Sequence, residues 1–372
     1  MKRNLSLDYL RNFANLSRCL LHAAIPYMFT NAPVWPVNEA GAWFFDLMIF
    51  EIHLYVMELF FVIAGFVFAI QFYKKTTFEL LIDRLKRIII PFILGLIILI
   101  PLVLSFFYMV EYSGNINLNN IKISYLKGWN LALDLMYPTA HLWFLYYLLF
   151  FYVFTFFLKN ILKKMRSINI NYLLFSCIII SCICMSYMQR WIVDNPLTLV
   201  PEIPSLVHYY MFFAIGFIIN SSKLQLISIN LKSKSWLILG IVLGIFAVIP
   251  QFYFQFTDIK YYNLIKISAI LLYCFSSYLI VFGLWGCFNK IKFKASKQLA
   301  YLTDSSYWVY IINMPFVASI QILLIPISIS IILKFIISFL GALILSLLSY
   351  ELFVRYTFLG TLINRKRVRK KQ

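Results

Sequence analysis

The residues best suited to chemistry in this sequence form a polar stripe within its first hydrophobic segment. The stripe consists of five side chains: Asp8, Arg11, Asn15, Arg18 and His22. In a helix these positions lie within about 80° of one another. Their neighbours are typical of a membrane helix, in which each charge at the bilayer centre costs roughly 2.5–3.5 kcal/mol. Such side chains usually face the protein interior, so two arginines followed by a histidine predict a reaction site that handles anions.

His22 is the candidate general base of this stripe, because a neutral imidazole accepts a proton near pH 7. Arg11 is expected near the inner membrane surface, and His22 lies about 16 Å further along the helix. The imidazole therefore reaches the middle or the outer half of the bilayer. The alternative is a histidine that only makes interhelical hydrogen bonds. That alternative fits His22 alone equally well, but it explains the rest of the stripe less well.

A second group of polar residues belongs to the second and third hydrophobic segments. Arg84 and Arg87 share a helix face before Pro91, at the inner membrane surface, where they could hold phosphates. The alternative is a topology anchor that also contacts anionic lipid. Glu58, near the middle of the second segment, needs a partner at that depth. We expect an arginine of the first helix to pair with it, and a direct catalytic role is the alternative.

The remaining histidines indicate a direction across the membrane. His141 and His208 stand at the outer ends of hydrophobic segments, so all four histidines fall in its middle or outer half, whereas the arginine pairs lie inside. This arrangement fits an anionic donor that enters from the cytoplasm and a hydroxyl acceptor on the other side. Aromatic residues also gather in the outer connections, where they could stack on a sugar or form an ordinary interfacial belt. They are Trp35, Trp43, Trp129, Tyr137, Trp143 and Trp191.

The composition places these residues in a membrane protein. Hydrophobic residues make up 62% of the 372 residues and charged residues only 13%, which is more apolar surface than a soluble domain can bury. We predict an all-α polytopic membrane protein with about ten transmembrane helices. The predicted segments are 8–29, 46–71, 88–110, 142–158, 170–188, 206–220, 235–254, 264–287, 305–325 and 331–354. Because the connections between them are short, we expect residues 1–372 to form a single transmembrane domain without a separate soluble domain.

The net charge of +19 is distributed as membrane topology requires. Of the 33 lysines and arginines, 24 fall in alternate connections or in the C-terminal tail, and four fall in the other connections. The positive-inside rule therefore predicts that both termini are cytoplasmic. A nucleic-acid or targeting patch in the tail after Asn364 is the alternative. The six cysteines lie in or next to apolar segments, without zinc-ligand spacing, so we expect no bound metal.

Five stretches, in order along nearly the whole chain, resemble the acyltransferase 3 family of integral-membrane acyltransferases. They are Leu7-Asp8-Tyr9-Leu10-Arg11 followed by His22, Met57–Phe66 with Glu58, Arg84–Arg87 with Pro91, His141–Leu145, and Ser305–Tyr310 with Tyr307. The chain departs from the family pattern at two positions. Ala64 stands where the family often has serine, and Asn313 where it commonly has histidine. Because an asparagine amide cannot act as a base near neutral pH, the catalytic role rests more heavily on His22.

The resemblance implies a ten-helix enzyme of the bacterial inner membrane. It would transfer an acyl group, of acetyl or succinyl type, from cytoplasmic acyl-CoA to a hydroxyl of a glycan or lipid-linked sugar at the periplasmic face. The resemblance places the catalytic histidine on His22 and an essential arginine on Arg11, and it leans toward the succinyl-transferring branch that modifies periplasmic glucans. Acyl-CoA is then a co-substrate, and no cofactor is bound permanently. Supporting polar roles are expected for Asp8, Glu58, His141, Tyr307 and Asn313.

In the reaction that these residues would perform, Arg84 and Arg87 hold the phosphates of acyl-CoA, His22 deprotonates the acceptor, and Arg18 stabilises the oxyanion. A transient acyl-histidine is an alternative route. A transporter or flippase for a sugar or an anionic substrate fits the topology equally well. Transporters, however, often show two related halves with broken helices, and no duplication is visible in this sequence. A third possibility is a non-catalytic partner of a polysaccharide assembly machine, which would not bind acyl-CoA.

Overall fold

The computed structural model describes residues 4–30, 35, 37–39, 41–113, 127–128, 130, 139–193, 195–196, 198–220, 223–255 and 260–363. Within these ranges all regular secondary structure is helical, and there is no strand. Two of the outer aromatic residues, Trp129 and Tyr137, lie outside the described residues, as do Arg3 and the basic tail that begins at Arg365. The cytoplasmic location of the two termini therefore remains a prediction.

The helices follow one another along the chain. In chain order they are α1 (Leu5–Ala24), α2 (Trp43–His53), α3 (Val56–Phe72), α4 (Thr77–Arg84), α5 (Ile90–Leu94), α6 (Ile100–Ser113), α7 (Trp143–Lys164), α8 (Ile170–Ser186), α9 (Ile203–Ile219), α10 (Lys223–Ile249), α11 (Tyr262–Lys290), α12 (Lys297–Leu324), α13 (Ile331–Phe353) and α14 (Phe358–Ile363). Two π-helical stretches, Leu85–Ile89 and Gly95–Leu99, join α4, α5 and α6 into one run.

Helices lie at all ten positions where the sequence predicts membrane segments. Seven helical segments of the described chain are long and apolar enough to cross a membrane. They are Trp43–Phe72, Thr77–Phe106, Ala140–Ser167, Leu226–Phe252, Tyr262–Lys290, Lys297–Leu324 and Ile331–Phe353. Two shorter apolar helices, α8 and α9, have 17 residues each. Helix α1 is long enough, with 20 residues, but its polar stripe keeps it outside the apolar set.

Helix α1 lies inside the helical bundle, where it packs on α3, α11, α12 and α13. Its start is fixed by Asn4, whose side chain accepts a hydrogen bond from the Leu7 amide, a typical N-cap. The contacts with α12 are polar. The Asn12 amide donates to the Thr303 hydroxyl at 3.1 Å, and the Arg18 guanidinium donates to the Val309 carbonyl at 3.3 Å. Residues later in α1 thus contact residues later in α12, so the two helices run parallel.

Glycines bring the backbones of α3 and α9 into direct contact. A Cβ atom at Gly65 would lie 2.0 Å from the Phe213 carbonyl oxygen, and one at Gly216 would lie 2.1 Å from the Val62 oxygen. No side chain fits in this space, and small residues at such crossings are typical of membrane helix packing. The close approach places the polar residues of α3 and α9 next to each other in the core.

Candidate active site

Arg18 occupies the centre of the candidate site and is only 3% exposed. One terminal nitrogen, Nη2, donates to the Asn15 side chain at 3.4 Å and to the Val309 carbonyl at 3.3 Å. The guanidinium also lies over the ring of Tyr310, 4.8 Å from its centroid. Its Nε and Nη1 atoms are buried and have no hydrogen-bond partner among the described residues. Two donor nitrogens of a fixed cation therefore remain available for a bound substrate.

His22 lies on the last turn of α1, in a position that two other residues determine. Pro26 has no N–H group, so it cannot donate the usual helical bond to the His22 carbonyl four residues earlier. The side chain of Gln321, on α12, replaces that bond: its Nε2 donates to the carbonyls of His22 at 3.1 Å and Ala23 at 3.2 Å. The half-buried imidazole keeps Nδ1 without a hydrogen-bond partner in the described structure.

His141 presents a free lone pair to the same region. Its Nε2 lies 2.9 Å from the Ile311 carbonyl, which can only accept, so Nε2 carries the proton. In the neutral ring Nδ1 is then an acceptor, and it is buried without a partner among the described residues. The hydroxyl of Tyr310 donates to the His141 carbonyl at 2.7 Å and fixes this short turn before α7.

These groups form one cluster. The ring of His22 interacts electrostatically with Arg18, His141 and His53, and His141 also interacts with Arg18. Asn313, which is completely buried on α12, has no hydrogen-bond partner for either amide atom among the described residues. The structure thus places unsatisfied donors and acceptors inside the helical bundle, where such groups are costly. A bound polar substrate would satisfy them.

The inner half of the stripe is also directed inward. Asp8 is buried and Arg11 is half-buried, and both make further polar interactions within the protein. They lie on the turns of α1 that precede Arg18. The stripe as a whole therefore faces protein rather than lipid, as the cost of charge in the bilayer requires.

The basic residues before Pro91 are organised by a single carboxylate. Asp83 accepts ion pairs from Arg84 at 3.1 Å, from Arg87 at 3.0 Å and from Lys75 at 3.3 Å. The side chain of Arg84 is 15% exposed and also donates to Gln71 and to the Tyr152 hydroxyl. The side chain of Arg87 is 40% exposed. The guanidinium of Arg84 therefore binds other residues of the protein, and Arg87 is the more accessible cation of the pair.

A series of aromatic contacts along α12 links this basic segment to Arg18. Tyr307 donates to the carbonyl of Arg87 at 2.7 Å, within the π-helical turn Leu85–Ile89; such turns are frequent at functional sites. The ring of Tyr307 stacks on that of Tyr310, with 6.4 Å between centroids and 7° between planes. Tyr310 in turn lies under Arg18. Helix α12 therefore connects the basic segment with the cluster around His22.

Comparison with known proteins identifies the kind of molecule that carries this arrangement. A family model for the acyltransferase domain of acyltransferase 3 proteins matches residues 4–351, which includes every residue of the candidate site. The chain belongs to the acyltransferase 3 family. No curated protein and no solved structure matches it. The family resemblance predicted from the sequence is thereby confirmed, and with its apolar helices the chain is a multi-pass membrane acyltransferase.

One predicted contact of the acyltransferase is wrong. Glu58 does not pair with an arginine of α1: its Oε1 lies 3.4 Å from Nε2 of His208, on α9, and both side chains are completely buried. The close backbone approach at Gly65 and Gly216 brings these two helices together. Helix α1 contacts the start of α3 instead, where Tyr55 donates to the Ser17 hydroxyl at 3.0 Å. The pair is a core contact between α3 and α9.

Replacing Glu58 with alanine is expected to destabilise the acyltransferase by about 1–3 kcal/mol, because the imidazole of His208 loses its partner in a dry core. The measurement is the thermal unfolding midpoint of the purified protein in detergent. The variant His208→Asn is the matched control, and the double variant should cost less than the sum of the single ones, since both remove the same contact. Additive losses would show that the pair contributes nothing.

Gln321 is the main residue of the acyltransferase site that the sequence interpretation missed. It is a completely buried polar side chain within an apolar membrane segment, and the cost argument used for the α1 stripe applies to it equally. The sequence interpretation also missed Asp46, to which the same cost argument applies and which accepts hydrogen bonds from the backbone amides of Phe29 and Thr30. Within the described residues no group of three or more histidine, cysteine, aspartate or glutamate side chains could hold a metal ion.

Proposed function

We propose that this acyltransferase moves an acetyl- or succinyl-type group from cytoplasmic acyl-CoA to a hydroxyl of a glycan or lipid-linked sugar at the periplasmic face of the bacterial inner membrane. The observation that carries the proposal is the buried Arg18: its Nε and Nη1 atoms have no hydrogen-bond partner among the described residues, and its charge acts on His22. A carbonyl that acquires negative charge during acyl transfer needs such donors.

The orientation rests on ten crossings with both termini inside. The parallel course of α1 and α12 supports it, because the first and ninth of ten successive crossings must run in the same direction. In this orientation the basic segment around Arg87 faces the cytoplasm. His22 and the connection that follows it face the other side. A donor with phosphates and an acceptor hydroxyl would then reach the cluster from opposite ends.

In the proposed reaction, His22 takes the proton of the acceptor hydroxyl, and the hydroxyl oxygen attacks the thioester carbonyl. The carbonyl electron pair moves to oxygen, where Nε and Nη1 of Arg18 donate to it. Collapse of this intermediate expels the CoA thiolate, which takes the proton from His22. The lone pair of His141 and the amide of Asn313 are available to orient the reacting groups. A transient acyl-histidine on His22 is the alternative route.

Single residues of the basic segment have different roles in the donor site. Arg84 and Arg87 both contribute positive charge for the phosphates of acyl-CoA, as does the exposed Lys86. Arg87 makes the direct contact because it is the more exposed of the arginines, while Arg84 holds Asp83 and the turn in place. Arg11, which lies on the polar stripe of α1, would contact the donor where it extends along this helix.

The variant Arg87→Ala is expected to weaken binding of radiolabelled acetyl-CoA and succinyl-CoA roughly tenfold or more, because a charge-assisted hydrogen bond to phosphate is lost. Binding is measured by filtration of the detergent-solubilised protein, without acceptor. The exposed Lys163, at the end of α7, provides the control Lys163→Ala, which should bind normally. Equal affinity of Arg87→Ala and wild type would refute the donor site.

Two further readings predict other results. A transporter or an assembly partner would bind no acyl-CoA, and membership in an acyltransferase family favours the enzyme over both. The acceptor and the acyl group can be found by comparing the masses of cell-surface glycans from cells with and without the gene. A discrete mass difference identifies the acyl group directly, and identical glycans would contradict a glycan acceptor.

A further inference from the structure

One aromatic side chain of the outer connection is hydrogen-bonded to a buried residue of α12. Nε1 of Trp35 donates to Oε1 of Gln321 at 2.9 Å, and the half-buried indole lies 6.2 Å from the ring of His22 with 32° between the planes. Trp43, by contrast, is 40% exposed and stacks on the exposed Phe29. Trp43 fits an interfacial belt, whereas Trp35 is directed into the candidate site.

Gln321 connects Trp35 and His22 through a single side chain. Its Nε2 donates to the carbonyls of His22 and Ala23, and its Oε1 accepts from Trp35. All the polar atoms of this completely buried amide are therefore used. The side chain sets the position of the last turn of α1 and that of the indole at the same time.

Hydrogen bonds and an ion pair hold the chain in place before and after Trp35. Before Trp35, the carboxylate of Asp46 accepts from the amides of Phe29 at 2.6 Å and Thr30 at 3.0 Å. After it, Glu39 forms an ion pair with Lys334 of α13 at 2.7 Å, and its amide donates to the Pro26 carbonyl at 3.0 Å. These contacts fix the position of the indole over the outer end of α1.

We propose that Trp35 is the acceptor subsite, a platform for one pyranose ring, and that Gln321 is its positioning residue. The apolar C–H face of a sugar packs on the electron-rich face of an indole. Aromatic rings in contact lie roughly 4.5–7 Å apart, so no sugar fits between Trp35 and His22. The ring instead packs on the outer part of the indole, with a hydroxyl directed at the imidazole. This inference rests on the proposed function, since it assigns the acceptor of that reaction.

Binding of a simple sugar tests the subsite without any acyl transfer. Saturation-transfer NMR is recorded with methyl β-D-glucopyranoside, and with the acyclic polyol sorbitol as the comparison, on the protein in lipid nanodiscs. We expect transfer to the axial C–H groups of the glucoside and none to sorbitol. Trp35→Ala should abolish the signal, and Gln321→Leu and Trp35→Phe should weaken binding roughly two- to tenfold through loss of one hydrogen bond.

Asn12→Ala is the matched control, because it removes another hydrogen bond between α1 and α12 that does not involve Trp35. It should leave glucoside binding unchanged, and the Trp35 and Gln321 variants should bind acetyl-CoA normally. Equal signals for glucoside and sorbitol, an unaltered Trp35→Ala variant, or an equal loss in Asn12→Ala would each overturn the subsite. Glucoside binding that depends on Trp35 in a protein without acyl-CoA binding would instead contradict the proposed function and leave the subsite standing.

Discussion

His22→Asn is expected to lower kcat for acyl transfer by about 10²–10⁴-fold, the range over which a positioned general base accelerates such reactions. Asparagine preserves a hydrogen-bonding side chain of similar size but cannot take the acceptor proton near neutral pH. Because His22 lies at the end of α1 and the phosphate site lies around Arg87, binding of acyl-CoA should not change. The assay follows transfer of a radiolabelled acyl group from acyl-CoA to the cell-surface glycan with purified protein.

The control for His22 is Cys19→Ala, a small change to a buried residue one turn earlier on the same helix. It should transfer at nearly the wild-type rate, which would show that the site tolerates a substitution in α1. A second measurement separates the two routes. If an acyl-histidine forms, labelled protein should accumulate in the absence of acceptor, and His22→Asn should accumulate none. Transfer by His22→Asn at the wild-type rate would remove the histidine from the mechanism.

Arg18→Met is expected to reduce kcat by about 10²–10³-fold, the loss found when a donor to a developing oxyanion is removed. Methionine retains the length of the side chain in a buried position, so the packing against Tyr310 is largely preserved. Arg18→Lys keeps the positive charge but not the planar set of donors, and its rate should lie between those of Arg18→Met and the wild type. The affinity for acyl-CoA should change far less than kcat in both variants.

The exposed Arg190, in the connection after α8, provides the control Arg190→Met, for which we expect an unchanged rate. It tests whether loss of any one arginine affects transfer through net charge alone. The role of Arg18 as an oxyanion donor would be contradicted if Arg18→Met and Arg18→Lys lost affinity for acyl-CoA while kcat stayed constant. In that case the guanidinium would bind the donor and not its transition state.

The sequence was most informative where a single physical cost dominates. Charged residues in a membrane segment must face protein, and this argument correctly directs the stripe of Asp8, Asn15 and Arg18 inward. Runs of apolar residues predicted ten segments, and a helix lies at each of them. The family followed from motifs that are each weak but occur in order, and the family model confirms it.

The sequence was least informative about which residues meet. A helical wheel gives the buried face of α3 but not the helix that covers it, so the expected arginine partner of Glu58 proved to be His208, 150 positions away. The second predicted segment also divides at Leu54 into α2 and α3. Likewise, the sequence motif around Arg84 does not reveal that its guanidinium forms an ion pair with Asp83 and hydrogen bonds with Gln71 and Tyr152.

By itself, the sequence determined that this protein is an all-helical membrane acyltransferase with a buried polar helix at its start. Tertiary structure alone decided that Gln321, 299 positions from His22, replaces the hydrogen bond that Pro26 cannot make and holds Trp35 beside the imidazole. The reason is that burial depends on local periodicity, which a sequence displays directly. Hydrogen bonds between helices depend instead on the order and direction in which the helices pack, and these are fixed only when the whole bundle forms.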